Sequence, residues 1–415
     1  MKRLFFFLTC LLLGLLPWHA FLKTWLASVF LGSNADYLPV SSNILSLWKE
    51  ILLLILFIGL AWSVRKVLQD IIKEHWFTLL SIYLISLLLF GTLFVANFPA
   101  FILGLRTDAL FALALLVGFL GGNYFGKEKI AHFLKITLWS LLTSFVLFLT
   151  IWFVFPNMGI WFGYSPYQSS YVDDKPLPVY HCLFVGEHCI PRLQASFSGP
   201  NQTGSLAILL GGILVILGLP WWLLVIPALG LILTFSRSAF IGAALGSLFS
   251  IPKKWLLWSG STLLFILSSM FVVYPDVITH GLSSSEHWHK TVAGLQRISE
   301  QPLGSGLGSA GPVSRRLLGE ANALISENWY LQIGEEAGIM AFILLLTFTI
   351  YIVLLLLRSK THLSRIMGAV LLATSVQALF LHLWEDSVVT ILIWFWVGIA
   401  LCYNINDHSK DYAKH

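Results

Sequence analysis

Charge is what this chain lacks most. Only 11% of its 415 residues are charged, against about 25% in a soluble domain, while 57% are hydrophobic. No soluble fold hides that much apolar surface, so an all-α polytopic membrane protein is predicted. Ten-residue segments of alternating polarity are also missing, which excludes a transmembrane β-barrel. The net charge of +5 is scattered and forms no basic stripe, so no nucleic-acid partner is implied. Cysteine is scarce, with four residues in all. Cys10 and Cys402 sit in apolar runs and read as packing residues. Cys182 and Cys189 share the polar loop HCLFVGEHC. A disulfide between them is expected if the loop lies outside the cytoplasm. A zinc site with His181 and His188, or free thiols, are the alternatives. No internal repeat is apparent, and the charges gather at loop edges rather than mid-membrane, which argues against a transporter or flippase.

What is present is a succession of apolar runs. About twelve transmembrane helices are predicted, near 4–22, 45–63, 76–95, 107–122, 133–155, 203–218, 220–235, 239–251, 255–273, 339–357, 367–384 and 387–404, from runs near the length a bilayer demands. The run at 239–251 is short for a full span. The N-terminus, MKRLFFFLTCLLLGLLPWHA, mimics a secretory signal but reads as a retained first helix in a chain with so many later spans. Two polar loops interrupt the pattern. The chain therefore divides into helices 1–5 (1–155), a first loop (156–202), helices 6–9 (203–273), a larger helical loop (274–338), helices 10–12 (339–404) and a tail (405–415). Twelve spans place both termini on one side. Fifteen of the 25 cations lie in short alternate segments at 2–3, 65–73, 127–135, 253–254, 358–365 and 410–414, and the positive-inside rule makes that side cytoplasmic. Both long loops, and Arg237, then face outward.

The larger loop carries the densest chemistry. SSSEHWHKTVAGLQRISEQP reads as a helix with a serine N-cap among 283–285 and a stop at Pro302. His287, Lys290 and Arg297 share related faces of it, either as a solvated basic face or as ligands. The glycine-rich PLGSGLGSAGP that follows lacks the Lys-Ser/Thr ending of a phosphate loop, and a tight turn in a lid is expected instead. Glu327 and Asn328 precede the tenth span, with Glu335 and Glu336 one to two turns on. An ionisable residue where a chain enters the membrane is a functional candidate, and Glu327 held ionised is a candidate general base, although a dipole-favoured acid at a helix start is the plainer alternative. In LTFSRSAFIG, Arg237 is either a lipid-phosphate anchor or a fixed anion site flanked by the hydroxyls of Ser236 and Ser238. Arg192 and Asn201 lie in RLQASFSGPNQTG, where Asn201 also begins a glycosylation sequon. Arg106 is a further outward-facing cation at a membrane edge, serving as an anchor or a ligand.

Four blocks in this order resemble the O-antigen ligase and polymerase superfamily of bacterial membrane glycosyltransferases: SFSGPNQTG before a span, the Ser-Arg block TFSRSAF, the helix ending SEQPLGSGLGSAG, and ENWYLQIGEEAGI. The likeness covers about 192–345. It implies a polytopic glycosyltransferase in the bacterial cytoplasmic (inner) membrane, acting at the extracytoplasmic face. It implies a glycan donor on a polyprenyl (undecaprenyl) diphosphate, a glycan, lipid or protein acceptor, and no metal or cofactor. Carried across by position, Arg237 is a diphosphate ligand, and the family's catalytic histidine falls on Glu327. The family's second arginine, early in the loop helix, has no counterpart; His287 and Lys290 occupy that region. The expected roles are Glu327 as base, with His287 assisting, and Arg237, Ser236, Arg192, Asn201, Lys290, Asn328 and Arg106 binding substrate. A polysaccharide polymerase is the alternative within the superfamily.

Overall fold

A computed structural model describes residues 1–31, 40–155, 162–164, 171–172, 175–176, 181–185, 188–250, 281–318 and 325–412. The fold is almost wholly helical, and the chain is a multi-pass membrane protein. Seven of its described helices are long and apolar enough to cross a bilayer. The long helices are α1 (Lys2–Leu15), continued through a 3-10 turn into α2 (His19–Leu31), then α3 (Val40–Ser63), with the short α4 (Arg65–Ile71) after it. Next come α5 (His75–Leu93), α6 (Phe98–Tyr124) and α7 (Lys127–Val154). The sixth, seventh and eighth expected spans appear as the shorter helices α8 (Pro200–Ile216), α9 (Val225–Leu233) and α10 (Arg237–Ser250). The expected ninth span, 255–273, lies outside the described residues.

The larger loop contributes α11 (Gly281–Glu300) and α12 (Gly311–Leu318) before α13 (Trp329–Leu357), α14 (His362–Ala378) and α15 (Ser387–Tyr412) close the fold. The core sits between α6 and α15. Gly118 faces the Phe395 carbonyl and Gly398 the Leu115 carbonyl so closely that a Cβ at either would collide with backbone, the small-residue contact that brings membrane helices together.

Four boundaries differ from those read in sequence. The fourth span does not start at 107: α6 begins at Phe98, with Pro99 in its first turn and the Asn97 side chain accepting the Ala100 N–H at 2.9 Å, so Arg106 lies within a helix and not in a break. The loop helix starts at Gly281, which puts Ser283, Ser284 and Ser285 inside it and not at its N-cap. The eleventh span ends at Ala378, and the residues up to Asp386 form a separate polar link with a 3-10 turn at Leu383–Glu385. Helix α13 starts ten residues before the tenth span read in sequence, but it breaks at Gly338 (φ +81°). A side chain there would meet the Pro302 and Leu303 backbone, so glycine alone permits both the turn and the close approach. The apolar part after the break therefore begins at 339.

The first loop holds two small antiparallel pairs, β1 (Tyr171–Val172) with β2 (Lys175–Pro176), and β3 (Cys182–Val185) with β4 (His188–Pro191). The register of the second opposes Cys182 to Pro191 and Cys189 to Phe184. The two cysteines thus stand diagonally across the hairpin.

Candidate active site

The site is built on the start of α13. Asn328 caps that helix, its side-chain oxygen accepting the N–H groups of Tyr330 at 3.0 Å and Leu331 at 3.1 Å. Glu327, one residue earlier, takes the left-handed conformation at φ +54°, which a residue with a Cβ adopts only when its surroundings impose it. Three contacts do so. Its backbone N–H donates to His382 Nε2 at 3.1 Å, Lys290 Nζ donates to Oε1 at 2.5 Å, and His287 Nδ1 contacts Oε2. Burial pushes the Glu327 carboxyl up, but the hydrogen bonds and charges of His287 and Lys290 outweigh it and hold the group down at about 2. About two helical turns further on, Arg297 pairs with Glu335, with Nε at 2.8 Å. His287, Lys290 and Arg297 of α11 therefore clasp Glu327, just before α13, and Glu335 on it, and the solvated-basic-face reading of this helix does not hold.

Behind Glu327 runs a relay of polar groups. Because His382 Nε2 accepts, its proton resides on Nδ1, which faces Gln332 Oε1 at 2.5 Å. Gln332, fully buried, donates in turn to Glu385 Oε1 at 2.7 Å. Burial pushes the His382 imidazole down to about 4, with Lys290 adding to the effect and Glu327 opposing it, so the ring stays neutral as its acceptor role requires.

A second cluster forms around the arginines. Arg192 follows β4, and its Nε donates to the Thr234 carbonyl at 2.7 Å while Nη2 reaches Asn201 Oδ1 at 3.3 Å. Burial, with Arg237 beside it, lowers Arg192 to about 10. His181 is pushed down to about 4 by burial and by Arg192. Two guanidinium groups thus share one neighbourhood with a neutral imidazole. Ser236 is buried, and its hydroxyl lies 3.4 Å from that of Ser238, while Arg237 itself is exposed. The first loop touches the link after α14. Ser198, at the end of the first loop, donates to Asp386, four residues past His382, and four residues of chain reach at most ~14 Å.

Arg106 belongs to neither cluster's direct contacts. It is held by Glu50, through Nε at 3.0 Å and Nη2 at 2.5 Å, next to the fully buried Lys49. The capping role of Asn328 occupies its oxygen. The glycine-rich segment is not a lid. It is buried against α5 and α6, with Leu307 N–H on the Gly91 carbonyl at 2.8 Å, and the N–H groups of Gly308 and Ala310 hold the Glu336 carboxylate at 3.0 and 3.1 Å. Gly308 (φ +76°) lies where a Cβ would be 2.6 Å from the Ala100 carbonyl. Asp108, fully buried on α6, shares a hydrogen bond with Glu336.

Sequence reasoning missed His382, Gln332, Glu385 and Asp386, and read His181 only as a possible zinc ligand. The signal was there for three of them: HLWEDS puts three ionisable residues in six between two apolar runs, a density that marks a break and not the end of a span. Among the described residues no group of three His, Cys, Asp or Glu is placed to hold a metal ion. No protein-family model matches the chain, and no curated protein matches it in sequence.

Proposed function

We propose that the protein is an O-antigen ligase-like glycosyltransferase that moves a glycan from a polyprenyl-diphosphate carrier to an acceptor hydroxyl. The reaction takes place at the extracytoplasmic face of a bacterial cytoplasmic membrane, with both termini in the cytoplasm. What supports this reading is a carboxylate-held imidazole, His287 on Glu327, and a separate pair of guanidinium groups, Arg192 and Arg237, whose loop reaches the His382–Asp386 link through Ser198.

The roles differ from those expected from sequence alone. A carboxyl held near 2 is a poor proton acceptor at neutral pH, because base strength follows pKa. Glu327 instead orients His287 through Nδ1, which leaves Nε2 to take the proton, as in other carboxylate–histidine pairs. The acceptor oxygen attacks the anomeric carbon as its proton passes to His287 Nε2. The bond from that carbon to the diphosphate oxygen breaks, and the lipid diphosphate leaves with the electron pair. Arg192 and Arg237 stabilise the charge that develops on it.

The test is turnover of polyprenyl-diphosphate glycan by purified protein in detergent, where no compartments exist. Transfer of one glycan block to a separate acceptor supports the reading. A ladder of lipid-linked products makes the protein a polymerase of the same chemistry. Lipid binding without consumption makes it a transporter. Arg237→Ala abolishes turnover in a well-folded protein if the reading holds.

A further inference from the structure

Helix α11 has three faces. His287, Lys290, Gly294, Arg297 and Ile298 point at α13 and the residues just before it: His287 and Lys290 hold Glu327, Arg297 holds Glu335, Gly294 abuts Ser326 and Leu331, and Ile298 packs on Gly334. A second face, carrying His289, Gln296 and Glu300, is exposed and polar. The third is exposed and apolar: Trp288, Val292 and Leu295 are 68%, 43% and 51% exposed and follow one another at i, i+4 and i+7, a single stripe at 3.6 residues per turn. Among the described residues, no tertiary contact accounts for a bulky apolar row beside a charged clasp.

Its position says what covers it. Helices α11 and α13 run side by side, with His287 at Glu327, Arg297 at Glu335, and the Ile339 N–H on the Pro302 carbonyl at 3.0 Å. The stripe therefore leads toward the point past Gly338 where α13 becomes outward-facing and apolar, at Ile339 (46%), Met340 (54%) and Ile343 (50%), with Leu303 (48%) between. We infer that α11 lies in the membrane–water interface, with Trp288, Val292 and Leu295 seated in the lipid and His289, Gln296 and Glu300 in water. An apolar face beside a polar one, with a tryptophan in the apolar row, is the arrangement that such in-plane helices use. The lipid surface then holds α11 at a fixed height, and His287 and Lys290 hold Glu327. This docking holds whatever substrate the site takes.

The experiment places a nitroxide on single cysteines at 288, 289, 292, 295, 296 and 300, in full-length protein whose four native cysteines are replaced, in phospholipid nanodiscs. Power saturation compares accessibility to oxygen, which concentrates in lipid, with accessibility to a nickel chelate, which stays in water. Positions 288, 292 and 295 should show the higher oxygen-to-nickel ratio, and 289, 296 and 300 the lower. Equal nickel accessibility at all six overturns the inference. Protection of 288, 292 and 295 from both reagents also overturns it, since another part of the protein or a second copy would then cover the stripe. A benzophenone residue at 295 gives an independent readout that needs no label at Trp288: a lipid adduct by mass spectrometry supports the docking, and a protein adduct refutes it.

Discussion

Substituting Glu327→Gln removes the negative charge from the clasp and leaves the shape of the side chain. Lys290 and His287 then face a neutral amide, whose one oxygen accepts from only one of them in its old geometry. The three side chains are 24–40% exposed, so each contact falls between a solvent-screened surface pair, worth about 0.2–1 kcal/mol, and a charged hydrogen bond, worth about 1.5–3 kcal/mol. A combined loss of about 1–2 kcal/mol follows, which at 1.4 kcal/mol per decade raises local opening of α11 roughly 5- to 30-fold. Hydrogen–deuterium exchange of the 281–300 peptides in detergent reads this directly. The acceleration should grade along the helix, largest near His287 and Lys290 and smallest near Arg297, whose partner Glu335 is untouched. Neutral pH is the right condition: the folded carboxyl is depressed from 4.5 to about 2, so its stabilisation is complete above 4.5 and is lost only as pH falls toward 2. The reasoning fails if α11 exchange is unchanged in Glu327→Gln. It fails equally if protection drops uniformly across α11 and α13, which would mean global loosening and not an opened clasp.

Four further outcomes follow. His287→Ala should lower kcat by about 10²–10⁴-fold, the usual contribution of a general base, with lipid-donor binding retained in a pull-down or calorimetric assay. Acidification should destabilise the protein through His382: its folded pKa, about 4, lies below the ordinary 6.5, so the unfolded chain binds the extra proton first and stability falls from pH 6.5 to 4 by up to about 3 kcal/mol. Thermal melts should show that slope, and His382→Gln should flatten it. Gly308→Ala forces a side chain at φ +76° against the Ala100 carbonyl and should cost about 1–3 kcal/mol, seen as a lower melting temperature. Glu336→Ala strands the Gly308 and Ala310 N–H groups in a buried site at about 1–3 kcal/mol each and should lower the melting temperature more than Glu327→Gln does.

Hydropathy made the class of fold and most of the long helices legible, because a bilayer demands a minimum apolar length. It misjudged the ends where polar residues are helical. Arg106 and Asp108 look like a break, yet they lie inside α6 because Glu50 and Glu336 supply partners that a one-dimensional reading cannot see. The spacing of His287, Lys290 and Arg297 correctly put them on related faces of one helix, but which acids they meet depends on how α11 lies along α13. His382 is harder to see: its immediate neighbours Leu381, Leu383 and Trp384 carry the apolar run past it, and only the density added by Glu385 and Asp386 marks the break. Assigning Glu327 as base came from its position in a motif. Its partners argue for a different role, since the Lys290 ammonium and the His287 contact stabilise the charge that a base must give up.

The glycine-rich segment has a consequence for where phosphate can bind. Its amides converge on an oxygen acceptor as a nucleotide-binding loop's do, but the acceptor is the chain's own Glu336 carboxyl group, delivered from α13 and enclosed between α5 and α6. That receptor is permanently occupied from within. An incoming diphosphate meets no vacant backbone amides there, so its recognition falls to side chains elsewhere. The glycines serve as internal mortar, joining the polar loop to the first half of the bundle.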